Sequence, residues 1–245
     1  MRRPIGREGQ ELEPDRQEMI DYVNQARQQD PAAGARLGAL SLVERIKQAI
    51  KGPRGVNADY LLSVVGAMAG YTAQETVREL ARTHGAPSEQ AVFTILQAAG
   101  GQKFYFGDPL NRVLFELPRS ILRLTQEFAN AVGIDLGEIP DINELAGHAA
   151  STVGYPEFGL IRYPEGHGGP YPAPVTALRH FWPQWREDLE VFCPNPEHWP
   201  LLAASAICET ISQVQGVMTP TVALRIVLEA AVPMSKVDIN AAPVG

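Results

Sequence analysis

The chain has 245 residues, 45% of them hydrophobic and 20% charged, and a formal net charge of −7. That length supports a full hydrophobic core, and the composition is ordinary for a soluble globular protein. With 28 acidic against 21 basic residues, and only the short basic runs Arg2-Arg3 and Lys51 with Arg54, the balance argues against broad phosphate-backbone binding and no nucleic-acid partner is expected.

The N-terminal MRRPIGREGQELEPDRQE has no apolar run behind its arginines and does not read as a secretory signal. Residues 1–14 are polar, charged and Pro-containing, and are expected to form a flexible arm. Asp15–Gln29 reads as a surface helix with Met19, Tyr22, Val23 and Ala26 inward. Asp30-Pro31 supplies a cap and a first-turn proline for the next helix. Leu37, Leu40, Val43, Ile46 and Ile50 follow at spacings of three or four. KGPRG, 51–55, ends that helix.

VNADYLLSVVGAMAGYTAQETVRELARTHG is apolar nearly all round in its first half, as in a helix buried on most sides. Thr72 and Glu75 have capping-box spacing, so a second helix is expected to begin there after a bend at Gly70. Gly66 and Gly70, four apart, permit close approach of a partner helix. The uncharged stretch Tyr60–Gln74 is shorter than the ~20 apolar residues of a membrane span, so no membrane partner is expected. Ser88 is placed as the cap of a further helix to about Ala98.

Then comes GQKFYFGDPLNRVLFE, 101–116, which has two readings. In the preferred one QKFYF is a strand, GDPLN a turn and RVLFE the returning strand. In the other, Asp108 caps a helix, Pro109 is its first residue, and Leu110, Leu114 and Leu117 share a face. SILRLTQEFANAVG places Ile121, Leu124, Thr125, Phe128 and Val132 on one stripe. Asp141 and Glu144 open a helix over 142–153.

Residues 155–200 hold nine of the twenty prolines and all three tryptophans. The part 155–174 cannot be a continuous helix, and its aromatics argue for order. Helices return after Asn195-Pro196 and Thr219-Pro220. The second, VALRIVLEAAV, carries only Arg225 and Glu229 as polar residues and is expected to lie centrally or in an interface. Cys193 and Cys208, the only cysteines, read as small buried hydrophobes rather than a disulfide framework, which points to a reducing, cytoplasmic location.

These elements predict a mainly α fold. It is a single multi-helix domain of about eight or nine helices over 15–245, with one small β-hairpin, a long ordered Pro/aromatic-rich loop, and soft subdivisions near 53 and 154.

No metal signature, nucleophile elbow, phosphate loop or dinucleotide fingerprint occurs, and no metal or cofactor is expected. Two stretches hold the candidate binding residues. The 103–112 turn would display Lys103, Tyr105, Asp108, Asn111 and Arg112, a set able to hold a small polar or anionic ligand. The competing reading is that Asp108 and Asn111 are turn formers and Arg112 is solvated. The 155–185 stretch offers Tyr163, Trp182 and Trp185 as lining and His167 or His180 as a base. Its competing reading is a wrap that seals the bundle.

Two functions follow. The preferred one is a helical module that self-associates or binds a protein partner. It rests on the apolar faces of 60–71 and 220–232, the exposed hairpin and the missing catalytic motifs. The alternative is a small-molecule-binding protein or enzyme whose site joins the 155–185 loop to the 103–112 turn, with Arg112 as anion anchor.

Overall fold

The structure, a computed structural model, describes residues 14–240. The expected N-terminal arm therefore lies, except for Pro14, outside the described residues. The chain order is α1 (Pro14–Gln29), α2 (Ala33–Ile50), α3 (Ala58–Thr83), β1 (Thr94–Gln97), β2 (Lys103–Phe106), the single turn α4 (Asp108–Asn111), α5 (Ile121–Ala131), α6 (Ile142–Ser151), α7 (Pro174–Phe192), α8 (Trp199–Val214) and α9 (Pro220–Met234). The mainly α fold with one small hairpin is as expected.

Helix α3 is the axis of the molecule, packed against α9, α8, α7 and α2. Asn57 caps it by accepting from the Tyr60 amide at 3.0 Å, and residues 61–74 are all buried. No bend or new start occurs at Gly70–Thr72; α3 continues to Thr83. The two glycines have another role. A Cβ on Gly66 would lie 2.4 Å from the Val227 carbonyl oxygen, and one on Gly70 2.0 Å from that of Ala231. Their missing side chains let α9 lie backbone against backbone on α3, so the apolar faces of 60–71 and 220–232 cover each other. They are spent inside the fold and leave no excess surface for a partner.

Expected caps appear at Asp141, which accepts from the amides of Asn143 and Glu144, and at Thr219, which accepts from Val222. Tyr22, Leu40 and Val132, all placed inward from spacing, are exposed. Tyr22 and Leu40 lie on helix faces that no neighbour covers among the described residues, and Val132 lies just past the end of α5, where the periodic face stops.

The hairpin is built differently from the preferred reading. The partner of β2 is the upstream segment: Thr94 pairs with Phe106, Ile95 with Tyr105, Leu96 with Phe104 and Gln97 with Lys103. Ser88 therefore caps no helix to Ala98. A short 3₁₀ turn, Glu89–Ala91, leads directly into β1, because Phe93, Thr94 and Ile95 suit a pleated surface better than a helix. With the strand partner supplied from upstream, Pro109 opens the helical turn α4, as in the other reading, although the cap residue is Gly107 rather than Asp108. Arg112–Glu116 continue as a wide π turn, closed by the Leu117 amide donating to the Arg112 carbonyl at 2.9 Å.

The Pro/aromatic stretch is an ordered loop only to Ala173. His180, Trp182 and Trp185 lie on helix α7, which tolerates Pro183 in its interior. Trp185 is anchored by its Nε1 donating to Thr72 Oγ1 at 3.1 Å, and Trp182 meets Tyr71 edge-on at 4.6 Å. Cys193 and Cys208 are free and buried. No helix among the described residues is long and apolar enough to cross a membrane.

Candidate functional site

The hairpin is fixed to α3 by Arg78. Its Nε donates to Glu89 Oε1 at 2.7 Å, and its Nη1 donates to Gln74 Oε1 at 2.8 Å and Glu75 Oε1 at 2.5 Å. Its guanidinium lies over the Tyr105 ring, 4.3 Å from the centroid. Tyr105 is thus a buried wedge under an arginine, not a ligand-facing residue. On the far side of β2 the chain after α9 adds a bridge, Phe104 to Val237, and the Tyr105 amide donates to the Lys236 carbonyl at 2.8 Å.

One edge of the hairpin remains open. The Ala98 amide bonds to the Gln102 carbonyl. The antiparallel alternation then turns the amides and carbonyls of Ile95 and Gln97 away from β2. None of these groups has a partner among the described residues. Leu96 is 46% exposed beside this edge, and Tyr155 is 64% exposed. Tyr155 follows Gly154, whose backbone abuts Ala98. Phe158 of the same loop packs edge-on to Phe104 at 4.8 Å. The surface around Leu96 is therefore apolar and β1 itself carries no charge, while exposed Lys103 stands across from Gln97.

The other predicted turn residues do not form one cluster. Lys103 and Asp108 are exposed and separate. Asn111 faces a cavity of about 420 Å³ shared with Phe115, Leu122 and Asn143. Arg112 faces a different cleft, with His84 and Leu117. Helical rotation in the π turn parts these sequence neighbours.

The loop residues gather at the opposite end of α3. His167 Nδ1 meets Asp59 Oδ1 at 2.9 Å, and the Gly168 amide donates to Asp59 Oδ2 at 2.7 Å. Tyr60 and Tyr171 stack with centroids 5.4 Å apart. Tyr163 packs flat beneath Gly168, which has φ +92° and whose Cβ would strike that ring at 2.9 Å. Burial pushes the Tyr163 hydroxyl up to about 12. Glycine at 168 is thus required by both the backbone angle and the ring.

Asp59 orients the His167 imidazole and leaves Nε2 as its second nitrogen, the arrangement of a positioned base. Ser63, one turn further along α3, is buried and its hydroxyl interacts with that of Tyr163. His180 is exposed on α7, edge-on to Phe181 at 4.7 Å, apart from His167. Trp182 and Trp185, expected to line a pocket, are core residues. Arg112 faces the α3 end near Ala81. From Asp59 to Ala81 runs roughly 33 Å of helix axis at 1.5 Å per residue, so the loop and turn candidates do not share a site.

Sequence reasoning missed Asp59, because nothing local marks its pairing with a histidine 108 residues away. It missed the open edge of β1 although Val92-Phe93-Thr94-Ile95-Leu96 carried a strand signal. Among the described residues no group of His, Cys, Asp and Glu could hold a metal ion. Compared with known proteins, the chain matches no family model, no curated protein and no solved structure.

Proposed function

We propose that the protein is a helical interaction module that self-associates through the outer edge of β1. The observation that carries this reading is that edge: four backbone groups of Ile95 and Gln97 point outward with no partner among the described residues, on an uncharged strand beside exposed Leu96 and Tyr155. Natural proteins usually protect such edges with charge, proline or a covering element. Here the strand itself is uncharged and exposed Leu96 and Tyr155 flank it, which suits the addition of another strand.

The occupant is a second copy of this chain. An antiparallel pairing with Ile95 opposite Gln97 of the second copy satisfies the outward groups of both chains. It sets Leu96 against Leu96 of the second copy on the two-fold axis, as an apolar cross-strand pair. The result is a four-stranded sheet running through the dimer. A four-residue edge is a small contact, so the association belongs to the weak, concentration-dependent class. Two buried free thiols, Cys193 and Cys208, support placing this module in a reducing, cytoplasmic compartment.

Sedimentation velocity over a concentration series tests the proposal. The wild type is expected to shift from monomer to dimer as concentration rises. Ile95→Pro removes one outward amide while sparing the amides bonded to β2, and should remain monomeric at every concentration. Leu96→Lys, which places two charges across the axis, should do the same. A wild type that stays monomeric throughout, or an Ile95→Pro variant that dimerises equally, overturns the reading.

A further inference from the structure

The cleft at the C-terminal end of α3 has a composition that the self-association reading does not use. It has a volume of about 260 Å³, and its floor is apolar, with Val77 and Leu80 from α3 and Val113 and Leu117 from the π turn. Arg112 and His84 stand on its rim, and no carboxylate lines it.

Arg112 is exposed and has no hydrogen-bond or ion-pair partner among the described residues. That distinguishes it from Arg78, Arg162 and Arg186, each engaged by two or more carboxylates. The His84 ring uses Nδ1 on the Leu80 carbonyl at 2.7 Å, which leaves Nε2 as its other nitrogen. The end of α3 offers an anion no free amide, so the pairing falls to Arg112. The His84 amide bonds back to the Leu80 carbonyl, the Gly85 amide to Arg82 and the Ala86 amide to Ala81. Gly85 has φ +75°, the left-handed closing residue of a capped helix end.

The wide π turn is what brings Arg112 to this rim. Its extra residue per turn puts Val113 and Leu114 into the core and leaves the guanidinium beside apolar surface. Such turns are costly and recur at functional sites.

From this geometry we infer that the cleft binds a short aliphatic carboxylate. The chain of the ligand lies on Val77, Leu80, Val113 and Leu117, and its carboxylate pairs with the Arg112 guanidinium. Charge complementarity selects the anion, because Arg112, the fixed cation on the rim, has no counter-ion among the described residues. The apolar floor selects a tail. The volume lies below the range of drug-sized pockets, which limits the tail to a short chain.

The test is titration of the full chain with octanoate, followed by amide chemical shifts. The expected result is saturable binding with shifts confined to 77–84, Val92 and 109–117. Acetate and 1-octanol, which lack the tail and the charge respectively, should bind at least about tenfold more weakly. Arg112→Gln, at an exposed position without a partner among the described residues, should keep the wild-type melting curve and lose at least about tenfold in octanoate affinity. Four outcomes overturn the inference. These are non-saturable binding, shifts mapping elsewhere, equal affinity for octanol, and unchanged affinity in Arg112→Gln.

Discussion

Lys236 is 3% exposed, and its only charge-accommodating neighbour among the described residues is the Phe106 ring, 4.9 Å from Nζ. Burial lowers its amine from 10.5 to about 8. Below about pH 8 the lysine is protonated in both folded and unfolded chains, and the folded state carries the cost of a buried charge. Between about 8 and 10.5 the unfolded chain holds the extra proton, so stability rises with pH through that window. Above about 10 the buried tyrosines oppose the rise. Burial raises Tyr71 and Tyr163, so there the unfolded chain loses protons first. Holding the amine at about 8 costs on the order of 3 kcal/mol, partly offset by the aromatic ring. Lys236→Met is therefore expected to stabilise the protein at pH 7 by about 1–3 kcal/mol. It should also flatten the rise between pH 8 and 10 in urea melts. A variant less stable than wild type at pH 7 would show that the charge is held favourably.

The contact of α3 with α9 brings backbone against backbone, and two glycines permit it. Gly70→Ala would drive a methyl into the Ala231 backbone, which cannot move aside as a flexible side chain could. A loss of roughly 3 kcal/mol or more is expected, read as a lower denaturation midpoint. Gly147 in α6 has open space at its Cβ position. Gly147→Ala should stabilise by roughly 0.5–1 kcal/mol through helix propensity alone. Equal effects at the two positions would contradict the packing argument. At this scale the sequence was legible for α6 and α9, where cap and periodicity agree. Helices α2, α5 and α8 were legible from periodicity, but α2 begins at Ala33 with Ala32 rather than Asp30 in the cap position. It was misread at 88–98 and 109–117. A strand needs a partner, and nothing local distinguishes Thr94–Gln97 from Arg112–Glu116 as the partner of Lys103–Phe106.

For the molecule as a whole, α3 separates two ends of different character. At one end Asp59 clamps the Pro/aromatic loop through His167 and Gly168. At the other, the π turn and hairpin leave an open edge and a basic-rimmed cleft. Asp59→Asn removes the charge from both clamp bonds, each worth about 1–3 kcal/mol when one partner is charged. Limited proteolysis should then cut between 160 and 170 faster than in the wild type, while the helical core melts nearly unchanged. An identical cleavage rate would mean that the aromatic contacts alone hold the loop.

The sequence by itself determined the helical class, the buried character of α3, the order in the Pro/aromatic loop and the presence of a hairpin. Each follows from local terms: apolar periodicity, caps, and the residue types that proline and glycine exclude. It also singled out His167 and Arg112. Tertiary structure alone decided what faces them, because the pairing of His167 with Asp59 and the cleft around Arg112 join segments distant in the chain. It likewise decided that the most apolar faces meet each other, and that Thr94–Gln97 is the strand left with an open edge. Periodicity says that a face must be covered; only packing says by what.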